Sequence, residues 1–435
     1  MKTYTIITLG CKVNQYESSA ISTSLDAMGL EYKKFPDVCD IYVVNTCSVT
    51  SMSDKKSRQM IHKAKMLNPE CIIIATGCLA QQDPDSMVKN GADIVLGNIE
   101  KNYIENILPE IINEKRPKLV NVSDISKKTE YINCRFPDKW ERTRGYLKIQ
   151  DGCDNFCSYC IIPYVRGRVR SRDITDIKNE ALHMSAKGIK EIVLTGIHLD
   201  SFGKDKQNLK LIDVIAELNE LESIKRIRLG SLEPNIITDD FINEIKKYSK
   251  LCPHFHMSLQ SGSDKVLADM NRKYDSSMFL NAVNKLRNQI PSVEITTDII
   301  VGYPTETDED FMKSMDMVRS ARFIKTHVFK FSKRKGTKAE NLKSLDSSIL
   351  TERSNKLIAF SLEIAKDKLS EYISKSLQIL VEEKKGSIIT GHTTSFIKVD
   401  AIVDNEANKN VEVNTFCNVF ITGLSNEGLK GNILS

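Results

Sequence analysis

Residues 146–172 read YLKIQDGCDNFCSYCIIPYVRGRVRSR, and three cysteines, Cys153, Cys157 and Cys160, stand in the middle with C-x3-C-x2-C spacing. Tyr146 to Gln150 has the composition of a strand, so the cysteines lie on the loop that leaves it. Thiolates are the usual protein ligands of iron–sulfur clusters, and short loop spacing lets three of them converge. Three cysteines on a 4Fe–4S cluster leave one iron without a protein ligand. An open position of that kind separates catalytic from structural metal sites. A zinc knuckle would need a fourth ligand close by in the chain, and none is local. Phe156 and Tyr159 lie between the ligands and can shield them from water, and Pro163 fixes the exit of the loop by locking φ.

Downstream the strand signal recurs at Glu191 to Thr195, Arg226 to Leu229, Phe255 to Gln260, Glu294 to Val301 and Thr326 to Phe331. With Tyr146 to Gln150 these make six β/α units, an incomplete (β/α)6 barrel whose chemistry is expected at the carboxyl ends of its strands. Upstream, Thr3 to Leu9, Ile41 to Asn45, Cys71 to Thr76 and Asp93 to Leu96 read as strands separated by helical stretches such as Gln15 to Met28 and Lys55 to Leu67. That alternation predicts an open parallel α/β sheet. Cys11, Cys47 and Cys78 each follow one of these strands. The carboxyl ends of an open parallel sheet share a crevice, so the three are expected to meet there as a second three-cysteine centre. Cys39 and Cys71 precede their strands and are excluded. After the barrel, Leu350 to Lys375 reads as a long amphipathic helix. Short strands follow at Gln378 to Val381, Ser387 to Ile389, Phe396 to Val399, Val411 to Val413 and Val419 to Ile421, the pattern of a small β-barrel. The expected division is 1–125, 139–372 and 373–435, with a polar bridge near Asn121 to Lys139.

The chain has 435 residues, 41% of them hydrophobic, and a formal net charge of +5. That composition can bury real cores and excludes a mostly disordered chain. The weak positive balance permits a nucleic-acid partner without requiring one. No apolar run reaches the ~20 residues of a membrane span, and the apolar stretch at the start is too short for a secretory signal. The expectation is a cytoplasmic protein with no membrane partner, whose eleven cysteines are ligands or core rather than disulfides.

Taken together, these residues resemble the methylthiotransferases, a radical S-adenosylmethionine family. The resemblance covers essentially the whole chain: the N-terminal sheet, the C-x3-C-x2-C barrel and a C-terminal TRAM-like barrel come in the family's order. LGCKVNQYES at residues 9–18 and the core stretch resemble the branch that acts on N6-threonylcarbamoyladenosine in tRNA. The resemblance implies two 4Fe–4S clusters, each with three Cys ligands. The cluster on Cys153, Cys157 and Cys160 would bind S-adenosylmethionine and reduce it to a 5′-deoxyadenosyl radical. The one on Cys11, Cys47 and Cys78 would carry the sulfur to be methylated and inserted at C2 of the adenine, beside the anticodon. An electron donor such as flavodoxin and a sulfur donor are implied as partners. Glu233, Gln260, Ser261, Asp298 and Arg272 stand in stretches that fit the family, where polar side chains at strand ends would contact the cofactor.

Arg166, Arg168, Arg170 and Arg172 recur at every second position, so an extended backbone would aim them to one face as a clamp for phosphates or a carboxylate. Lys333 and Arg334 give a second basic rim. Phe396 lies where the family usually has Tyr; core packing is the first reading of it, and stacking on a base, without the hydroxyl, is the second. Two other readings stay open: a sister branch acting on isopentenyladenosine or on a ribosomal protein aspartate, and a non-enzymatic cluster protein that carries electrons or binds RNA. A pure electron carrier normally closes its cluster with four cysteines, which weighs against the last.

Overall fold

The computed structural model describes residues 2–114, 118–140, 143–207, 209–403 and 411–434. Six strands, β1 (Thr3–Thr8), β2 (Glu31–Tyr32), β3 (Ile41–Thr46), β4 (Ile72–Gly77), β5 (Ile94–Leu96) and β6 (Leu119–Asn121), form a sheet in the order β2-β1-β3-β4-β5-β6. Every pairing in it is parallel. The buried runs of β3 and β4 suit strands covered on both faces. Two separate cores supply that cover. One packs Ile61 and Ala64 of the helix Ser51–Leu67, and the other packs Ile21 and Leu25 of the helix Lys12–Ala27. The chain leaves β1 outward to β2 and returns across it to β3. The strand order therefore reverses between β1 and β3, and such a switch point opens a crevice at the carboxyl ends.

The second sheet system begins at β7 (Arg144–Lys148), which runs on into β8 (Gln150–Asp151); β8 pairs antiparallel with β9 (Arg170–Ser171). β10 (Glu191–Thr195) and β11 (Arg226–Leu229) stand beside β7 in the order β11-β10-β7. β12 (Ser231–Leu232), β13 (His254–Gln260), β14 (Glu294–Val301) and β15 (Lys325–Lys330) follow in sequence order. Gly230 splits the third stave into β11 and β12, so six parallel staves result, with β7 and β15 at the open edges. Phe255, Met257, Leu259 and Ile295 point outward into the apolar layer beneath the helices. The alternate positions, His254 and His256, therefore face the lumen, and a bulge breaks the alternation before Gln260. The long helix Ser347–Ser370 packs over β15.

A closed barrel completes the chain: β16 (Ser376–Lys385), β17 (Ile388–Thr393), β18 (Lys398–Ile402), β19 (Phe416–Leu424) and β20 (Leu429–Ile433), in the order β16-β17-β18-β20-β19. Two details differ from expectation. Val411 to Val413 is not a strand, and the fifth strand is β20, which closes the barrel by pairing with both β18 and β19.

This small barrel is held against the amino ends of the staves by buried arginines. Arg226 donates to the carbonyl of His392 at 3.0 Å, and Arg228 donates to those of Thr394 and Thr393 at 2.9 and 3.2 Å. Arg144 pairs with Glu382 at 3.1 Å. Phe396 lies between His254 and His392, with both ring centroids 4.8 Å away. The guanidiniums of Arg144 and Arg228 lie 4.9 and 4.8 Å from its ring centre. The base-stacking reading is therefore corrected: the ring is already engaged by rings and cations of this chain. Phe396→Ala is expected to lower the unfolding free energy by roughly 2–4 kcal/mol. Calorimetry should show earlier melting, and limited proteolysis faster loss of the C-terminal barrel; unchanged curves would remove Phe396 as the anchor.

Candidate functional site

The loop with Cys153, Cys157 and Cys160 starts where β8 ends and is closed at its base by the β8–β9 pair. Cys153 N–H donates to Gly167 O at 3.0 Å. Gly152 has φ +74, and a Cβ there would lie 1.8 Å from Arg168 O, so only glycine fits. Ser158 ties the loop to the far staves: its N–H donates to Met270 O at 3.0 Å, and its hydroxyl to Asp269 O at 2.7 Å. Burial pushes the thiols of Cys153 and Cys160 up to about 11 and about 12. Thiolates here thus call for a bound cation. Arg272 Nη1 already points at Cys157 Sγ, 3.3 Å away.

Among the described residues, two trios of possible ligands have their atoms within 4.8 Å of one another: His256, Asp298 and His327, and His198, Asp200 and Glu233. Neither trio of cysteines is that tight. Sulfurs sharing one zinc stand about 3.8 Å apart, given a Zn–S bond of about 2.3 Å.

Beside Cys157 lies a buried polar chain. Glu233 Oε1 accepts from Arg272 Nη2 at 2.8 Å and Asn155 Nδ2 at 3.0 Å, and lies 3.2 Å from His198 Nε2. Burial works against charge on Glu233, but His198 and Arg272 hold its carboxyl below the usual range. Asp200 accepts from Glu233 N–H at 2.6 Å, and burial pushes its carboxyl up to about 7. Sequence reading missed His198 and Asp200. GIHLD at residues 196–200 directly follows β10, the same strand-end position that singled out Glu233.

Gln260 ends β13 with a left-handed backbone, φ +69, and stays buried. Ser261 is corrected as a cofactor contact: its hydroxyl pairs with Ser314 Oγ at 3.4 Å and accepts from Ser263 N–H at 3.2 Å, so it faces the helix Asp308–Ala321. Asp298 stands in the middle of β14 rather than at its end, 3.1 Å from His256 Nε2, and shares the lumen with His327.

Cys11, Cys47 and Cys78 follow β1, β3 and β4 at the switch point. A Cβ on Gly10 would come within 2.8 Å of Cys47 Sγ, so Cys47 abuts the turn that presents Cys11. Cys78 carries a hydrogen bond from Arg166 Nε at 3.4 Å, and Arg166 Nη2 reaches Asn14 Oδ1, 2.7 Å away and 4.0 Å from Cys11 Sγ. Burial raises Cys47 to about 11, and the neighbouring Cys78 and Cys11 add to it. Cys78 packs on Ile161 and Val165, and Ile161 directly follows Cys160. Cys78 of the first sheet therefore touches the segment that leaves the barrel's cysteine loop. Cys39 and Cys71 lie in the sheet's apolar core.

The arginine row is corrected. Residues 162–166 are helical, so the alternation does not define one face. Arg166, Arg170 and Arg172 are buried. Arg166 pairs with Glu17 at 2.6 Å, Arg170 with Asp151 at 3.7 Å, and Arg172 with Glu180. Lys101 and Lys148 also reach Glu17, at 2.5 and 2.8 Å, and Lys148 reaches Asp151 at 2.7 Å. Among the described residues, the carboxylates paired with Arg166, Arg170, Lys101 and Lys148 are Glu17 and Asp151. The surplus positive charge fits an anionic thiolate-bound group at the N-terminal cysteines. Arg334 is buried against Asp54, whereas Arg168 and Lys333 are exposed.

Residues 147–318 match the Radical SAM superfamily, and residues 3–97 match the Uncharacterized protein family UPF0004. The threonylcarbamoyladenosine tRNA methylthiotransferase MtaB of Bacillus subtilis is 40% identical over 92% of this chain and 90% of its own. The tRNA-2-methylthio-N(6)-dimethylallyladenosine synthase of Clostridium tetani is 35% identical over 87% of this chain and 85% of its own. Among solved structures, the radical S-adenosylmethionine methyltransferase TsrM of Kitasatospora setae superposes with a TM-score of 0.59 at 14% identity, over 78% of this chain and 76% of that one; it bears on the fold alone. With relatives of that identity and coverage, and a barrel that carries the three-cysteine loop, the chain belongs to the radical S-adenosylmethionine methylthiotransferase family.

Proposed function

We propose that this protein inserts a methylthio group at C2 of N6-threonylcarbamoyladenosine beside the anticodon of tRNA. The reading is supported by two sets of three cysteines at strand ends, one of which, through Cys78, packs on Ile161, the residue that follows Cys160. One site alone would serve radical generation; a second suits delivery of sulfur to the same substrate atom. Cys153, Cys157 and Cys160 would hold the cluster that, once reduced, supplies the electron for cleaving S-adenosylmethionine. Cys11, Cys47 and Cys78 would hold the second. Arg272 links Cys157 to Glu233, so it can orient the carboxylate against the cofactor's cationic groups while countering thiolate charge. Arg166 does the equivalent at Cys78, held rigid by Glu17 and Asn14. An external electron donor and a sulfur source belong to the same proposal.

The choice of nucleoside rests on the names of relatives and on the lumen. Relatives named for threonylcarbamoyladenosine reach 40, 38 and 36% identity, against 35% for one named for dimethylallyladenosine. The lumen side of β13–β15 carries His256, Asp298 and His327. Such side chains can hydrogen-bond a polar threonylcarbamoyl group, for which an apolar isopentenyl group offers no counterpart.

In cells lacking the protein, mass spectrometry of tRNA nucleosides should show loss of the methylthio form of threonylcarbamoyladenosine, with the isopentenyl counterpart intact. The reverse pattern would assign the chain to the sister branch. The triple variant Cys153→Ala, Cys157→Ala, Cys160→Ala should keep the iron of the other trio and lose S-adenosylmethionine cleavage. Cleavage persisting in that variant would overturn the radical site.

A further inference from the structure

Of residues 161–172, only Tyr164 and Arg168 are exposed. Tyr164 has 46% of its surface exposed although it stands four residues after Cys160 and its neighbours Pro163 and Val165 are buried. Both exposed side chains converge on Phe156, which lies between the cluster cysteines. The Phe156 and Tyr164 rings meet edge to face, with centroids 5.7 Å apart and planes at 87°. The Arg168 guanidinium lies 4.8 Å from the Phe156 ring centre. Phe156 itself has φ +47, a conformation non-glycine residues seldom adopt, and Asn271 Nδ2 holds its carbonyl at 3.1 Å. A strained backbone that aims a ring outward beside a reactive centre marks a place where structure is spent on function. Arg168 has one charged partner, Asp154, at 3.4 Å, and both are well exposed, so the pair is weak and the cation stays available.

We propose that Tyr164, backed by Phe156 and flanked by Arg168, is a stacking platform for an unpaired nucleobase next to the modified nucleotide. The inference rests on the tRNA reading above and extends it to a specific subsite. Proteins recognise RNA loops by stacking splayed bases on aromatic faces, with guanidiniums on the neighbouring phosphates. To reach the barrel lumen the target nucleotide must leave the loop's stack. A neighbouring base then loses its stacking partner, and Tyr164 supplies a replacement at the mouth of the site.

The test uses reconstituted holoenzyme and an anticodon stem-loop RNA carrying 2-aminopurine on either side of the target adenosine. Wild-type protein should quench the fluorescence of one label, because stacking does so. Tyr164→Ala should lose that quenching and weaken binding by roughly 5- to 50-fold, and Tyr164→Phe should stay within about two-fold of wild type. Arg168→Ala should weaken binding and lower the slope of log affinity against log salt by about one. Iron content and melting temperature must match wild type in each variant. If wild type binds the stem-loop no better than an unrelated duplex, the tRNA reading fails together with the platform. If wild type binds but quenches neither label, or Tyr164→Ala binds and quenches like wild type, the platform alone is overturned. Unchanged RNA binding with slower reduction by a protein electron donor would instead assign this surface to that donor.

Discussion

The Arg166 guanidinium, fully buried, is the point at which the two sheet systems become one molecule. It leaves the cluster loop of the barrel and enters the crevice of the first sheet, where it meets Glu17, Asn14 and Cys78. Withdrawing such a charge from water costs several kcal/mol, so the arrangement survives only if its partners are also fixed. Burial opposes a charged Glu17, yet Arg166, Lys101 and Lys148 together hold its carboxyl well below the usual range. Replacing any one of these groups would strand the others. The joint is therefore specific in register as well as stable, and it fixes the distance between Cys78 and the segment that follows Cys160.

That joint also explains where the sheet sits. The incomplete barrel has two open edges, β7 and β15, and the first sheet reaches both from the carboxyl ends. On the β7 side Glu17 takes Lys148. Beyond β15, Ser51 N–H donates to Ser332 Oγ at 2.9 Å, and Asp54 takes Arg334. The first sheet thus contacts both edges of the gap the barrel leaves, and its switch-point crevice meets the cysteine loop through Arg166 and Cys78. No long flexible linker is needed to bring the trios together, because each is built on strand ends that the clamp holds in place.

Much of this was legible in residue order, and what was not has a common cause. Periodicity picked out the parallel strands of the first sheet because a strand buried on both faces is apolar along most of its length, and the staves because apolar outer positions alternate with polar ones. The cysteines could be placed at strand ends because each stretch that carries them follows an apolar run that reads as a strand. The arginine alternation misled because the face a residue takes depends on backbone geometry: Arg166 closes a helix and Arg170 sits in β9. Their carboxylate partners, Glu17 and Asp151, lie far from them in sequence or on another element. The last strand, β20, was missed because LKGNI is short and contains Gly431, whose Cβ would lie 2.1 Å from Phe420 O; the barrel's closure dictates it. His198 and Asp200 were passed over because neither resembles a ligand until the staves bring Glu233 beside them.

The buried arginines at the opposite end have a consequence for where RNA can lie. Arg144, Arg226 and Arg228 commit their charge to Glu191, Glu382 and backbone carbonyls of the small barrel, and two of them clamp Phe396. Cations spent inside a joint contribute nothing to binding phosphate. The positive charge free to attract RNA is therefore that of exposed residues, among them Arg168 and Lys333 beyond the carboxyl ends of the staves and Lys385 and Lys430 on the small barrel. On the reading proposed above, the cations beyond the carboxyl ends would hold the nucleic acid beside the strand ends that carry the cysteines, and the buried arginines of the joint would take no part.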